Sequence, residues 1–111
     1  MVLNVTTQYI IILVTTASKP EAEKISQTLL EEKLIACANI VGPVSSHFHW
    51  GGKAEHAEEF LVLMKSRQDM FDTISERVKA LHSYEVPEIV GLPIVAGSKA
   101  YLDWLGTALK P

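Results

Sequence analysis

The densest group of chemically useful side chains in this chain surrounds Pro87. Within seven residues it holds an imidazole, a phenol and two carboxylates, from His82, Tyr84, Glu85 and Glu88. A proline restricts the residue before it to extended backbone, so a helix that ends near His82 must turn here into an extended segment. Such a cluster at an element boundary predicts a metal site or a site for a small polar molecule. The alternative is a helix-to-strand connection whose polar groups face solvent or a partner subunit.

A second candidate site comes from His47 and His49. Side chains alternate along a strand with period two, so both imidazoles project from one face. A pair of this spacing can chelate Cu(II), Ni(II) or Zn(II), and His56 lies across the predicted hairpin as a source of a third nitrogen. The alternative is a solvated or interfacial strand face, because no nearby carboxylate is fixed to orient the rings.

Four apolar runs predict the strands that position these groups. Residues 9–14 form a continuous β-branched run, which indicates a central strand buried on both faces. Residues 34–50 predict a second strand and residues 59–65 a third, joined by a tight hairpin at Gly51-Gly52. A short fourth strand covers residues 89–95. Prolines inside the second and fourth strands place both at sheet edges or at bulges.

Capping residues mark three helices. Ser18 with Glu21 begins the first helix, Ser66 with Asp69 the second, and Ser98 the third. The order is then β-α-β-β-α-β with a C-terminal helix. This succession predicts an α+β fold of the ferredoxin-like split βαβ type, with one antiparallel sheet.

The predicted hairpin is longer than the sheet of one small domain requires. Residues 34–50 would span roughly 50 Å in extended conformation. Unpaired strand edges are normally covered by another chain, and Phe48, Trp50 and Trp104 offer aromatic anchors for an interface. We therefore expect a homo-oligomer. The alternative is a hairpin that bends at a bulge and packs on its own sheet.

Composition limits the classes of protein to consider. With 111 residues, 48% hydrophobic and 21% charged, the chain predicts one globular domain over residues 1–111. A net charge of −3 gives no reason to expect a nucleic-acid partner. No apolar run approaches the roughly 20 residues that span a bilayer, and the first eight residues lack the features of a secretory signal. The single cysteine, Cys37, fits a reducing cytoplasm.

Five segments of the chain occur in the order and spacing of a known family. They are LLEEKLIACANI from Leu29, WGGK from Trp50, LMKS from Leu63, HSYEVPEI from His82 and YLDWL from Tyr101. Over about residues 10–109 the chain resembles the CutA divalent-cation-tolerance family. The resemblance implies a ferredoxin-like homotrimer, similar in architecture to the PII signalling proteins and linked to tolerance of copper and other divalent metals. It implies no catalytic reaction, and the chain has neither a Gly-rich phosphate loop nor a nucleophile motif.

The resemblance also suggests metal ligands. Copper binding in some bacterial relatives is ascribed to a cysteine near the end of the first strand, together with the His and Glu of the Pro-Glu segment. Here Val14 occupies the cysteine position, which leaves His82 and Glu88, with Cys37 as a separate candidate. A cysteine in an apolar run also commonly serves as a small buried hydrophobe. We therefore expect Cu(II) or another divalent metal to bind weakly, in competition with the histidine pair of the second strand.

A second implication of the resemblance is a cleft between subunits. Its candidate binding residues are Glu59, Lys65 and Tyr84, with Glu88 beside them and Trp50 at the hairpin. Our interpretation is a cytoplasmic homotrimeric binding protein, not an enzyme, that takes part in the response to divalent metal ions. A PII-like sensor of a small anion or nucleotide in the cleft is the alternative. An acylphosphatase-like hydrolase is disfavoured, because no arginine follows the first strand.

Overall fold

In a computed structural model, which describes residues 8–111, four strands form one antiparallel sheet. They are β1 (Tyr9–Thr16), β2 (Cys37–Trp50), β3 (Lys53–Arg67) and β4 (Ile89–Pro93), in the spatial order β2-β3-β1-β4. Three helices accompany the sheet, namely α1 (Lys19–Glu31), α2 (Phe71–Leu81) and α3 (Lys99–Ala108). The predicted α+β class with an antiparallel sheet is confirmed. The stretch before residue 8, where the sequence predicts no secretory signal, lies outside the described residues.

Burial of the central strand is one-sided. β1 lies between β3 and β4, as predicted, and its even-numbered residues are buried while its odd-numbered residues are only partly buried. The prediction of burial on both faces is therefore wrong for the single chain. The reason is that Ile12 and Val14, on the even face, share the core with Ile25 of α1 and Ile74 of α2. The core residues of both helices thus lie on the same side of the sheet.

The opposite face of the sheet carries apolar side chains, and no helix of the described residues, 8–111, lies over most of them. Directly paired residues of an antiparallel ladder share a face. Ile11 pairs with Leu92, and Leu13 pairs with both Val90 and Leu63, so the apolar surface runs across three strands. We call this surface the open face. Its members are Ile11, Leu13, Val41, Leu61, Leu63, Val90 and Leu92.

Two of the three predicted helix caps form. The hydroxyl of Ser18 accepts the N–H of Glu21, and the hydroxyl of Ser98 accepts the N–H of Tyr101. The cap predicted from Ser66 and Asp69 is wrong, because a 3-10 turn (Gln68–Met70) precedes α2 and no side chain caps it. Ser66 lies on the buried face of β3, where its hydroxyl donates to the carbonyl of Leu34 at 2.6 Å.

The outer half of the β2-β3 hairpin extends beyond the rest of the sheet. β1 pairs with β3 only at Phe60 and beyond, so residues 44–50 and 53–59 pair with each other alone. We call residues 44–59 the arm. Its turn is formed by Gly51 and Gly52, whose φ angles of 59° and 77° favour glycine. The predicted long hairpin is confirmed.

Both proline predictions for the sheet edges also hold. β2 and β4 are the outermost strands, and Pro93 ends β4. Pro43 lies in a register shift of β2 between Val41 and Val44, which separates the arm from the main sheet. Within residues 8–111, no helix is long and apolar enough to cross a membrane.

Candidate functional site

The segment that connects α2 to β4 is held in place by His82. Its ring is fully buried, and Nε2 donates to the carbonyl oxygen of Thr15 at 2.8 Å. Nδ1 accepts the N–H of Tyr84 at 3.0 Å. Because both ring nitrogens take part in hydrogen bonds, neither is available to a metal in this arrangement. His82 thus anchors the segment to the end of β1.

Glu21 ties the start of α1 to the same segment. Its carboxylate accepts the N–H of Ser83 at 2.6 Å and the N–H of Ala17 at 3.3 Å. Burial alone would raise the pKa of Glu21, but the bond from Ser83 and the other donors outweigh burial and lower this pKa below its usual value. The carboxylate therefore stays charged and fixes the backbone that precedes Tyr84.

Tyr84 places its phenol against a buried carboxylate. Its hydroxyl donates to Oε2 of Glu59 at 2.7 Å, and Glu59 is only 7% exposed. Burial, followed by this hydrogen bond and the negative charge of Glu59, raises the pKa of Tyr84 to about 12. The phenol is therefore a proton donor throughout the physiological range. The predicted binding residues Glu59 and Tyr84 are in direct contact.

A groove of about 980 Å³ separates the arm from this segment. Its charged and imidazole lining consists of Glu55, Glu59, Glu85, Glu88, His47, His49 and His56. Tyr84, Phe48 and Trp50 supply aromatic surface. Among residues 8–111, no lysine or arginine belongs to the lining, so the lining that these residues form has a negative formal charge at neutral pH. Such a lining attracts cations and repels anions.

Lys65, predicted to line the same site, belongs to a separate cluster. Its Nζ lies 3.3 Å from Oδ1 of Asn39 and 3.8 Å from Sγ of Cys37, and the Tyr101 ring centroid is 5.9 Å away. Six residues of strand, roughly 20 Å, separate Lys65 from Glu59. The four-residue cleft predicted from the family resemblance is therefore not assembled within one chain, because the strand holds its two charged residues apart.

Cys37 is half-buried beside polar groups instead of lying in the core. Its Sγ is 3.7 Å from the hydroxyl of Tyr101, whose pKa is raised by burial and by the neighbouring thiol. No other predicted metal ligand adjoins this thiol. Tyr101 itself was missed at the sequence level, because its approach to Cys37 depends on how α3 crosses the sheet.

The histidines of the arm form a cross-strand pair. His47 lies directly opposite His56, with ring centroids 5.7 Å apart and planes inclined by 28°. Nε2 of His47 is also 3.2 Å from the hydroxyl of Ser45. His49 lies on the same face two residues further along β2, as predicted, and its cross-strand partner is Ala54. His56 was predicted to lie across the hairpin from the histidine pair, and the register confirms this position.

The predicted metal ligands are distributed over separate places in the chain. Among residues 8–111, no three His, Cys, Asp or Glu side chains are grouped closely enough to hold one ion. His82 is enclosed in its hydrogen bonds, Cys37 lies beside Lys65, and Glu88 lines the groove with the arm histidines. The copper donor set suggested by the resemblance does not fit a single chain.

Glu55 and Glu21 were missed at the sequence level. Glu55 faces Phe48 in the ladder, and counting outward from the glycine turn would have found it. The sequence pattern around Glu21 predicted only a role in capping the first helix. Its contact with Ser83 spans 62 positions and depends on tertiary packing.

Comparison with known proteins decides the family. A family model described as CutA1 divalent ion tolerance protein matches residues 10–108. The chain belongs to the CutA1 family. The divalent-cation tolerance protein CutA of Thermus thermophilus is 46% identical over 95 residues, which cover 86% of this chain and 92% of that protein. The predicted family membership is confirmed.

Two further CutA relatives extend the comparison. The chloroplastic protein CutA of Arabidopsis thaliana is 39% identical over 101 residues, which cover 91% of this chain and 56% of that protein. A structure titled as the periplasmic divalent cation tolerance protein CutA of Archaeoglobus fulgidus superposes with a TM-score of 0.89 at 43% identity, covering 92% of this chain and 99% of that one. Their names place relatives in the chloroplast and the periplasm, so the family does not imply one compartment.

Proposed function

We propose that this CutA1-family chain is a homotrimeric binding protein that takes part in the response to divalent metal ions and binds them weakly in the groove beside the arm. Cu(II) is the ion we favour. One observation carries the proposal: every charged side chain that lines the groove is a carboxylate, and the other titratable lining groups are imidazoles and Tyr84. Imidazole suits Cu(II), Ni(II) and Zn(II), and carboxylates suit harder cations.

The buried Glu59 supports cation binding in particular. A buried carboxylate is costly unless it is hydrogen-bonded or paired with a cation. Glu59 is 93% buried, since it is 7% exposed, and Tyr84 donates to Oε2 alone. Within the described residues, no lysine or arginine forms an ion pair with it. Its charge contributes to a field that draws a cation into the groove.

The same lining does not favour a PII-like sensor of a small anion or nucleotide. Phosphate groups are bound by arginine, lysine or clustered backbone N–H groups. The one lysine predicted for the cleft, Lys65, lies elsewhere on β3 and contacts Asn39. We therefore keep metal response as the proposed function. Two relatives are named divalent-cation tolerance proteins, and these names agree with this choice.

The homotrimer and the ferredoxin-like topology belong to the same proposal. The strand order β2-β3-β1-β4 with β-α-β-β-α-β connectivity supports the ferredoxin-like assignment. The open face and the projecting arm support association of subunits, because apolar patches of this extent normally mark interfaces. We also propose a cytoplasmic location, supported by the single thiol Cys37.

Calorimetric titration of the untagged chain tests the function. Cu(II), Zn(II), Ni(II) and Mg²⁺ are titrated beside ATP and ADP on the same preparation. We expect weak, saturable binding of the first three ions and no binding of the nucleotides. Glu59→Gln should weaken metal binding because it removes a charge from the groove, whereas Lys65→Met, outside the groove, should not. Nucleotide binding without metal binding would reject the proposal in favour of the sensor.

A further inference from the structure

We infer that His47 and His56 form a two-imidazole clip for a divalent d-block cation on one face of the arm. The inference rests on the proposed metal response and names the ligands that would carry it. The clip differs from the donor sets that the sequence predicts, because His56 takes the place of His49 as the second ligand of His47. Neither His82 nor Cys37 takes part.

The ladder provides the spacing that chelation requires. His47 and His56 are direct partners in the antiparallel register, which places their Cβ atoms about 4.5–5.5 Å apart. Their rings already face each other, with centroids 5.7 Å apart. Both residues are exposed, so the rings can rotate about their side-chain bonds until one nitrogen of each points to a shared ion. The backbone needs no rearrangement.

The cross-strand pair is better placed than the pair along one strand. His47 and His49 are separated by two residues, or roughly 6.6 Å at about 3.3 Å per residue. This distance exceeds the Cβ separation of direct cross-strand partners. His49 faces Ala54, which offers no ligand atom in its side chain. The geometry therefore favours His56 over His49 as the second ligand of His47.

The surroundings of the clip also favour a cation. Of the three glutamates in the arm, Glu58 lies on the face of the clip, whereas Glu55 and Glu59 lie on the opposite face. Glu58 faces Ser45, one step along the same face of the ladder from the clip, and His49 lies one step away in the other direction. Water and the carboxylate of Glu58 can complete the coordination sphere, since two imidazoles alone leave positions open.

Titration of Cu(II) into the untagged full chain, with electron paramagnetic resonance of the bound ion, tests the clip. His47→Ala and His56→Ala should each weaken binding by about tenfold or more, because even the loss of an outer-shell partner costs 10–100-fold. The resonance spectrum should change from two nitrogen ligands to one. His49→Ala is the matched control and should stay close to wild type, because its ring is not a direct partner of either ligand. Circular dichroism confirms that the exposed-site variants remain folded.

The outcomes separate the clip from the proposed function. If wild type binds Cu(II) and His56→Ala binds it equally well while Glu59→Gln does not, the clip is wrong and the metal function stands. If His49→Ala is as damaging as His56→Ala, the ion is not held by the cross-strand pair and the clip is wrong. If wild type binds no divalent ion at all, both proposals fail. Loss of Cu(II) binding in both His47→Ala and His56→Ala, with binding retained in His49→Ala, supports both the clip and the proposed metal function.

Discussion

The hydrogen bond between Tyr84 and Glu59 connects the segment after α2 to the base of the arm. It joins residues 25 positions apart, and the phenol donates to a carboxylate that is almost wholly buried. Bonds to charged groups contribute about 1.5–3 kcal/mol, more than bonds between neutral groups. The contact therefore holds two walls of the groove, Tyr84 and Glu59, together.

Removal of the Tyr84 hydroxyl should have an effect that depends on pH. The pKa of Tyr84 is raised from 10.0 to about 12, so the folded state holds this proton more tightly than the unfolded state does. The stabilisation is then complete below pH 10 and is lost as pH rises through about 12. Tyr84→Phe should lower the free energy of unfolding by about 1–3 kcal/mol at pH 8, and the difference from wild type should shrink above pH 10.

Urea unfolding of both proteins at pH 8, 9.5 and 11, at one protein concentration, measures this difference. Other alkaline groups titrate in both proteins and cancel from the comparison. Absorbance at 295 nm gives an independent record, since the most alkaline tyrosine step of wild type should be missing in Tyr84→Phe. A difference that grows above pH 10 would contradict the proposed bond.

Individual residues were predictable from sequence where their partners are local. Ser18 and Ser98 cap their helices because the N–H groups they accept lie three residues away. Lys65 and Glu59 were predicted to line one cleft between subunits because both match the family pattern. Within a single chain they lie apart, because their positions along β3 fix the distance between them. His82 was predicted as a ligand from its chemistry, but its hydrogen bonds depend on long-range packing against Thr15.

At the scale of elements, the register shift in β2 determines where the arm leaves the sheet. A Cβ added to Gly42 would lie 2.5 Å from Cδ2 of Phe60, closer than carbon atoms approach without displacement. Phe60 packs against the core, so it has little freedom to move aside. The shift therefore requires a residue without a side chain at Gly42.

Gly42→Ala should lower the free energy of unfolding by about 1–3 kcal/mol, the usual cost of overpacking. Gly51→Asn is the matched control, because nothing lies within 4 Å of a Cβ at this position and asparagine tolerates positive φ in hairpin turns. Chemical denaturation compares both variants with wild type. Equal stability of Gly42→Ala and wild type would show that Phe60 moves freely and that the close approach has no energetic role.

Elements were predicted well where composition acts directly on backbone geometry. Prolines placed β2 and β4 at the edges, because a proline lacks the N–H that a central strand must donate. Gly51 and Gly52 predicted the turn because glycine readily adopts the positive φ angles of a tight hairpin. The prediction for β1 was wrong on one point: a continuous apolar run indicates two covered faces, but α1 and α2 bury one face and α3 reaches only the Cys37–Lys65 end of the other.

At the scale of the whole molecule, that difference supports association. The apolar character of β1 on its odd-numbered face continues into Leu63, Val90 and Leu92 of its neighbours. Burial of such a surface contributes about 25 cal/mol per Å². A second covering for β1, which the sequence pattern predicts, would then come from other copies of the chain.

The final prediction is that the chain forms a trimer. Light scattering of the full chain at micromolar concentration should give about three times 12.3 kDa. Because unfolding is then coupled to dissociation, the thermal midpoint should rise with protein concentration.

Leu92→Lys should shift the population towards monomer, since it adds a charge to the open face. Leu92 is 48% exposed in the single chain, so the monomer itself should tolerate the change. Gln27→Lys, on the exposed side of α1, adds the same charge away from the open face and should leave the trimer intact. A wild-type mass of 12.3 kDa, or a thermal midpoint unchanged over a hundredfold dilution, would reject the trimer; equal masses for Leu92→Lys and wild type would place the interface elsewhere.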